Sequence, residues 1–238
     1  MEDSGQLLAD YGSYQLYEVD RLRPDLLQDD KAEVRDDYNR ILLDAARIDT
    51  TTKAVKALRK PVGDFNGKRM HLIQFVGPMQ PAWHEALKKT GAQLIDYIPE
   101  NAYLVYGDAQ SLANLQSLAG TMKSVQWDGE YLDDYKIHPR ARLVDEKGHQ
   151  QQLSTDEFAI QLAQDPDANP ATLALIGQLK LEPIRRQYNL LRYVNVFVRL
   201  RPQDLGLLAA QPDVISIQPY MEPRKLDERQ DQIVAGNL

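Results

Sequence analysis

The sequence predicts an α+β fold in which a βαββαβ unit occurs twice in tandem behind an N-terminal extension. Three observations carry this reading. Residues 70–131 read in order as strand, helix, strand, hairpin turn, strand, helix, strand. The same order returns over residues 154–221, with identities at matching places. The chain has 238 residues and is 43% hydrophobic, which is ordinary globular composition and room for two small cores. The element order is that of the ferredoxin-like split βαβ arrangement.

The first unit opens with a strand at residues 71–76, where His71, Leu72, Ile73, Gln74, Phe75 and Val76 are closed by Gly77-Pro78. A helix follows over 81–90, with Pro81 in its first turn and Gly91 at its end. A strand at 93–98 meets the turn Pro99-Glu100-Asn101, and 102–106 returns beside it. A second helix carries Leu112, Leu115 and Leu118 at helical spacing, and Gly120 is expected to stop it. Residues 125–127 close the unit.

The second unit repeats these signals. Ile73, Gln74 and Phe75 fall on Ile160, Gln161 and Leu162, and Pro81-Ala82 falls on Pro170-Ala171 at a helix start. Val105 falls on Val198, Gln110-Ser111-Leu112 on Gln203-Asp204-Leu205, and Ser124-Val125-Gln126 on Ser216-Ile217-Gln218.

Residues 1–69 form an extension and linker. A strand is expected at 14–19, where residues alternate; 39–48 fits a strand, and its middle, 41–46, also fits a helix. The pairs Asp29-Asp30 and Asp36-Asp37 lack calcium-loop spacing and read as solvated acidic loop. Thr50-Thr51-Thr52 and residues 61–67 read as linker. Residues 132–153 join the units, with turns at Asp133-Asp134, Pro139 and Lys147-Gly148 and a short strand at 142–144. Residues 222–238 form a charged, extended C-terminal tail.

Charge and motif content exclude several functions. The net charge of −7 disfavours general affinity for nucleic acid or an anionic membrane, and no apolar run reaches membrane-spanning length. With no cysteine there are no disulfides, thiol nucleophiles or cysteine-bound metals. No Gly-x-Ser-x-Gly elbow or glycine-rich phosphate loop is present, and His71, His84, His138 and His149 are not at metal-ligand spacing. No catalytic residue, metal or cofactor is expected.

The strand faces suggest binding instead. If Ile73, Phe75, Tyr103 and Val105 face the helices, Leu72, Gln74, Ala102, Leu104 and Tyr106 face away as a partly apolar surface. That surface docks a partner unless the other unit or residues 1–69 cover it. In the second unit, Val194, Val196 and Val198 point inward, leaving Asn195, Phe197 and Arg199 outward within a run of arginines. An aromatic on such a sheet can stack bases, but the linear RNA-recognition signature is incomplete here.

Residues 72–78, then Gly91-Ala92, then the hairpin Tyr97-Ile98-Pro99-Glu100-Asn101-Ala102-Tyr103-Leu104-Val105, resemble the N-terminal propeptides of bacterial secreted subtilisin-like serine proteases, of the type related to the oxidatively stable alkaline proteases. Residues 35–39, 47–51 and 227–230 share that likeness. The resemblance implies a chain that is not itself an enzyme. Its partner is the cognate protease domain, which it helps to fold and then inhibits as a cleaved product. It implies that Leu72, Gln74, Leu104 and Tyr106 form the docking sheet and that Glu100 caps a protease helix N-terminus. Asn195, Phe197 and Arg199 are the alternative docking face, and Ala235, Gly236, Asn237 and Leu238 enter the substrate cleft as an added strand. It also implies secretion or periplasmic export within a precursor; since Met1-Glu2-Asp3-Ser4-Gly5-Gln6 is unlike a signal peptide, a leader would have been removed. The other function class is a stand-alone ferredoxin-like module that binds RNA or a small ligand.

Overall fold

The computed structural model describes residues 5–19 and 32–222. They form an α+β structure with four small antiparallel sheets, two of two strands and two of four. The tail residues Ala235, Gly236, Asn237 and Leu238, and the pair Asp29-Asp30, lie outside the described residues.

The N-terminal extension makes two hairpins. Strand β1 (Gln6–Asp10) pairs with β2 (Gln15–Glu18), where alternation predicts a strand. The ambiguous stretch at 39–48 is neither one strand nor a helix. It is a tight hairpin of β3 (Arg40–Leu42) and β4 (Arg47–Asp49). Asp44-Ala45 supplies its turn, and Ile41 and Ile48 lie opposite each other on one face. The expected linker holds one turn of helix, α1 (Lys53–Ala57), whose N-terminus is capped by the Thr52 hydroxyl accepting from the Val55 amide.

The first large sheet contains β5 (Lys68–Phe75), β6 (Gln93–Ile98), β7 (Ala102–Asp108) and β8 (Val125–Glu130), ordered β6-β7-β5-β8. Helix α2 (Pro81–Lys89) begins on its proline, and the chain leaves it through Gly91 at φ +87°, a conformation that favours glycine. Helix α3 (Ala109–Thr121) is capped by the Asp108 carboxylate, which accepts from the Ser111 amide at 2.8 Å. It runs through Gly120 rather than stopping there, because the Met122 amide still reaches the Leu118 carbonyl. Trp83, Leu87, Leu112 and Leu115 from the two helices pack on Ile73, Phe75 and Val105. The β1–β2 hairpin closes one end of this core, where the Tyr11 hydroxyl donates to the Pro78 carbonyl at 2.8 Å.

The connection holds α4 (Asp133–Lys136) and a 3-10 turn at Pro139–Ala141. The strand expected at 142–144 is reduced to a single bridge between Val144 and Gln150, closed around the turn by bonds from Asp145 to His149 and from Gln151 to Leu143. The second large sheet has β9 (Glu157–Ala163), β10 (Arg186–Leu190), β11 (Tyr193–Arg199) and β12 (Val214–Pro219), in the order β10-β11-β9-β12. Strand for strand this is the order of the first sheet. Helices α5 (Asn169–Leu179) and α6 (Leu205–Ala209) cover one face, with Ile176, Leu205 and Leu208 on Phe158, Ile160, Val196 and Val198. The Asp213 carboxylate is fully buried and accepts from Asn169 Nδ2 at 2.7 Å and Thr172 Oγ1 at 2.5 Å, which ties α5 to the start of β12.

The two sheets meet. Tyr193 Oη donates to the Ile95 carbonyl at 2.7 Å, and Tyr131 Oη donates to that of Ile215 at 3.1 Å. Lys68 Nζ lies 3.0 Å from Asp165 Oδ2. Lys136, only 4% exposed, donates to the carbonyls of Ala209 and Gln211 at the end of α6.

Candidate functional site: the uncovered sheet face

The two sheets treat their helix-free faces differently. In the first, strand alternation sends Leu72, Ala102, Leu104 and Tyr106 away from the helices, as the sequence predicts, but that face is not bare. Ile41 and Ile48 of the β3–β4 hairpin lie on it, and Ala163, Ile215 and Tyr193 of the second unit complete the cover. Leu72 and Gln74 are 0% exposed, Tyr106 1% and Leu104 2%. The expectation that these four residues present a docking sheet is therefore corrected. They form a core between the sheet, its own N-terminal hairpin and the neighbouring unit.

Gln74 shows how the cover is held. Its Nε2 donates to the carbonyls of Tyr38, Arg40 and Glu100, each at 3.0 Å. Its Oε1 accepts from Thr50 Oγ1 at 2.8 Å, and Gln126 Nε2 reaches Thr50 Oγ1 at the same distance. A buried amide with every site occupied latches a hairpin of three-residue strands that could not persist alone. Glu100 itself is half-buried, and its carbonyl is spent on this latch.

In the second sheet one end of the helix-free face, Tyr193, Ala163 and Ile215, is packed against the first unit, and the other end, carrying Asn195, Phe197 and Arg199, is left half-buried to exposed. The burial of β11 alternates as predicted, with Val194, Val196 and Val198 inside and Asn195, Phe197 and Arg199 outside. Register places Arg186, Phe197, Ala159 and Gln218 in one row across the four strands, and Tyr188, Asn195, Gln161 and Ser216 in the next. The Phe197 ring stacks on Tyr188, with centroids 6.1 Å apart, and meets the Tyr220 ring edge-on at 4.6 Å. Arg186 lies 4.6 Å from the Tyr188 ring centre and Arg185 5.9 Å from that of Tyr220.

The sequence shows Phe197 but not the row. Tyr188 comes from β10 and Tyr220 follows β12, so no linear motif contains them. The available signal is hairpin register, which puts Tyr188 across from Asn195. The surrounding arginines are matched by acids. Arg185 pairs with Glu157 and Glu222, and Arg199 with Asp156 and Glu182. These pairs neutralise Arg185 and Arg199 and hold their guanidiniums above the ordinary pKa.

Beside this face, between the β3–β4 turn and β6, lies a cleft of about 240 Å³ lined by Asp44, Asp96, Tyr131, Tyr135, Gln161 and Gln218. Burial, and then the carboxylates of Asp44 and Asp96, push the Tyr131 hydroxyl well above its usual pKa. The polar groups of the first unit have structural roles. Asp128, 0% exposed, sits 3.0 Å from His71 Nε2 and 2.5 Å from Arg59 Nε, tying the segment after α1 to the sheet. His84 is half-buried on α2, away from the core positions Trp83 and Leu87. Among the described residues no group of three or more histidine or acidic side chains is arranged to hold a metal, and no helix is long and apolar enough to cross a membrane.

A family model described as "Domain of unknown function (DUF8729)" matches residues 42–132. No curated protein matches the chain. The matched span runs from the last residue of β3 through β4, α1 and all four strands of the first large sheet. The covering hairpin and the sheet beneath it thus fall largely within one matched segment.

Proposed function

We propose that this chain is the pro-region of a subtilisin-like serine protease, acting as an intramolecular chaperone and a product-like inhibitor, and that it docks through its second unit. In this reading both units are ferredoxin-like βαββαβ modules. Their common strand order and the placement of two helices on one side of each sheet support that. The observation that carries the docking assignment is the open aromatic face of Tyr188, Phe197 and Tyr220. It belongs to the unit whose last strand leads into the C-terminal segment. Past β12 the chain turns across the end of that face, with Tyr220 on Phe197 and Glu222 paired to Arg185. A partner seated on the face would therefore meet the tail where it leaves the sheet. Docking orders the tail, and binding the folded protease stabilises it by mass action.

The test is inhibition of a subtilisin-like alkaline protease by the full chain and by a chain lacking residues 235–238. Inhibition by the full chain that disappears on truncation supports cleft insertion, and equal inhibition by both chains contradicts it.

The aromatic row also favours a second reading, a module that stacks a planar ligand such as an RNA base. Charge weighs against phosphate. Arg185, Arg186 and Arg199 stand among Asp156, Glu157, Glu182 and Glu222, four acids to three bases. Salt-dependent RNA binding that is lost in Phe197→Ala would favour this second reading.

A further inference from the structure

The second large sheet has two edges. Strand β12 is engaged by the connection between the units, through a parallel bridge from Ile137 to Ile217 and a bond from the His138 amide to the Ile217 carbonyl at 3.0 Å. Strand β10 has no neighbour on its outer side among the described residues. Four of its five residues, Arg186, Gln187, Asn189 and Leu190, are exposed.

Exposed edges are ordinarily blunted by proline, a bulge, lysine or a charge pointing along the edge. Strand β10 has no proline or lysine, and its register against β11 is unbroken over five pairs. Its one charge, on Arg186, is folded back over the Tyr188 ring on the sheet face. The hairpin end next to it is apolar and open, with Leu190 56% and Leu191 83% exposed. Leu191 sits at φ +54°, the left-handed conformation used by the two-residue turn that joins β10 to β11.

We propose that β10 is a self-association edge, on which a second copy of this chain adds its own β10 antiparallel about a two-fold axis at Tyr188. The strand is self-complementary in that register. Arg186 faces Leu190 of the second copy, Gln187 faces Asn189, and Tyr188 faces Tyr188. No like charges oppose each other, and the open backbone groups of each edge satisfy those of the other. The pairing is isologous and therefore closes at a dimer instead of propagating. It joins two four-stranded sheets into one and continues the aromatic face of Phe197 and Tyr188 into the same residues of the second copy. A strand edge is a different surface from a sheet face, so this inference does not depend on the docking reading.

The absence of cysteine from the chain makes a direct test possible. Under mild oxidation the Tyr188→Cys variant should form a covalent dimer, because the substituted residue faces itself across the axis. Asn195→Cys, in the middle of the sheet face, should not. Sedimentation of the wild-type chain should show a reversible monomer–dimer equilibrium with a dissociation constant on the order of 10–100 μM. Tyr188→Lys, which sets two ammonium groups opposite each other, should raise that constant at least ~10-fold. A wild-type chain that stays monomeric throughout the concentration range overturns the proposal. So does cross-linking of Asn195→Cys as fast as Tyr188→Cys, or an unchanged dissociation constant in Tyr188→Lys.

Discussion

Ile41→Ala tests whether the N-terminal hairpin is part of the first unit's core or merely rests on it. Ile41 is 0% exposed and packs, with Ile48, on the face that carries Leu72, Leu104 and Tyr106. Truncating a fully buried isoleucine removes its transfer free energy and leaves a cavity, together about 2–5 kcal/mol. Each strand of the hairpin has only three residues, so little else holds its apolar side in place. A loss of about 3 kcal/mol in a chain of this size lowers the melting temperature by roughly 6–12 °C. Urea unfolding followed by tryptophan fluorescence measures it well, because Trp127 lies in the cluster under the hairpin and Trp83 in the cluster under the helices. Both probes should report a lower midpoint with little change in slope. A change below about 0.5 kcal/mol, the size expected of a surface residue, would refute the burial argument.

The remaining predictions concern the latch, the covered face and pH. Thr50→Val removes the hydroxyl donor to Gln74 Oε1 inside a buried network, and should cost about 1–3 kcal/mol in urea unfolding. Leu104→Ala should destabilise the chain by about 2–5 kcal/mol, where an exposed docking residue would tolerate the change; thermal melting separates the two. At Asp165 burial acts to raise the carboxyl pKa, but the Asp167 amide, the Lys68 ammonium and the Tyr106 hydroxyl outweigh it and hold the pKa below the ordinary value. A depressed carboxyl stabilises the fold above its unfolded pKa of about 4, and that stability is lost as pH falls through the folded value. Lys68→Met should therefore flatten the acid limb of a stability–pH curve. Burial, then the nearby Asp165 carboxylate, raises the pKa of Tyr106, and burial, then Asp44 and Asp96, raises that of Tyr131. Their contribution is complete below the unfolded tyrosine pKa of about 10 and is lost above it, so melting temperatures should fall steeply beyond that pH.

Period-two alternation in the strands is a local property, and it was legible from the residues. It assigned Val194, Val196 and Val198 to the core and Asn195, Phe197 and Arg199 to the opposite face, and made the same division for Ile73 and Phe75 against Leu72 and Gln74. Whether a face is covered is a property of tertiary packing, and alternation does not report it. Leu72 and Phe197 lie on the helix-free sides of sheets with the same strand order, yet one is fully buried and the other only half-buried. The difference lies in residues 40–49, where a hairpin of three-residue strands is too short to give a clear period. Gln74 looked like a polar interruption of an apolar surface. Its three carbonyl acceptors come from Tyr38, Arg40 and Glu100, far away in sequence, so the latch had no local signature. The aromatic row was hidden for the same reason, since each of its three rings comes from a different segment.

The most direct test of docking through the second unit is a comparison of inhibition constants against a subtilisin-like alkaline protease. The comparison uses the wild-type chain, Phe197→Ala and Tyr97→Ala. Phe197 lies at the centre of the open face, and Tyr97 is 51% exposed on the first unit. An aromatic at the centre of an interface is worth at least about 2 kcal/mol, so Phe197→Ala should weaken inhibition roughly 30-fold, with Tyr97→Ala close to wild type. Weakening confined to Tyr97→Ala, with Phe197→Ala unaffected, would contradict the assignment.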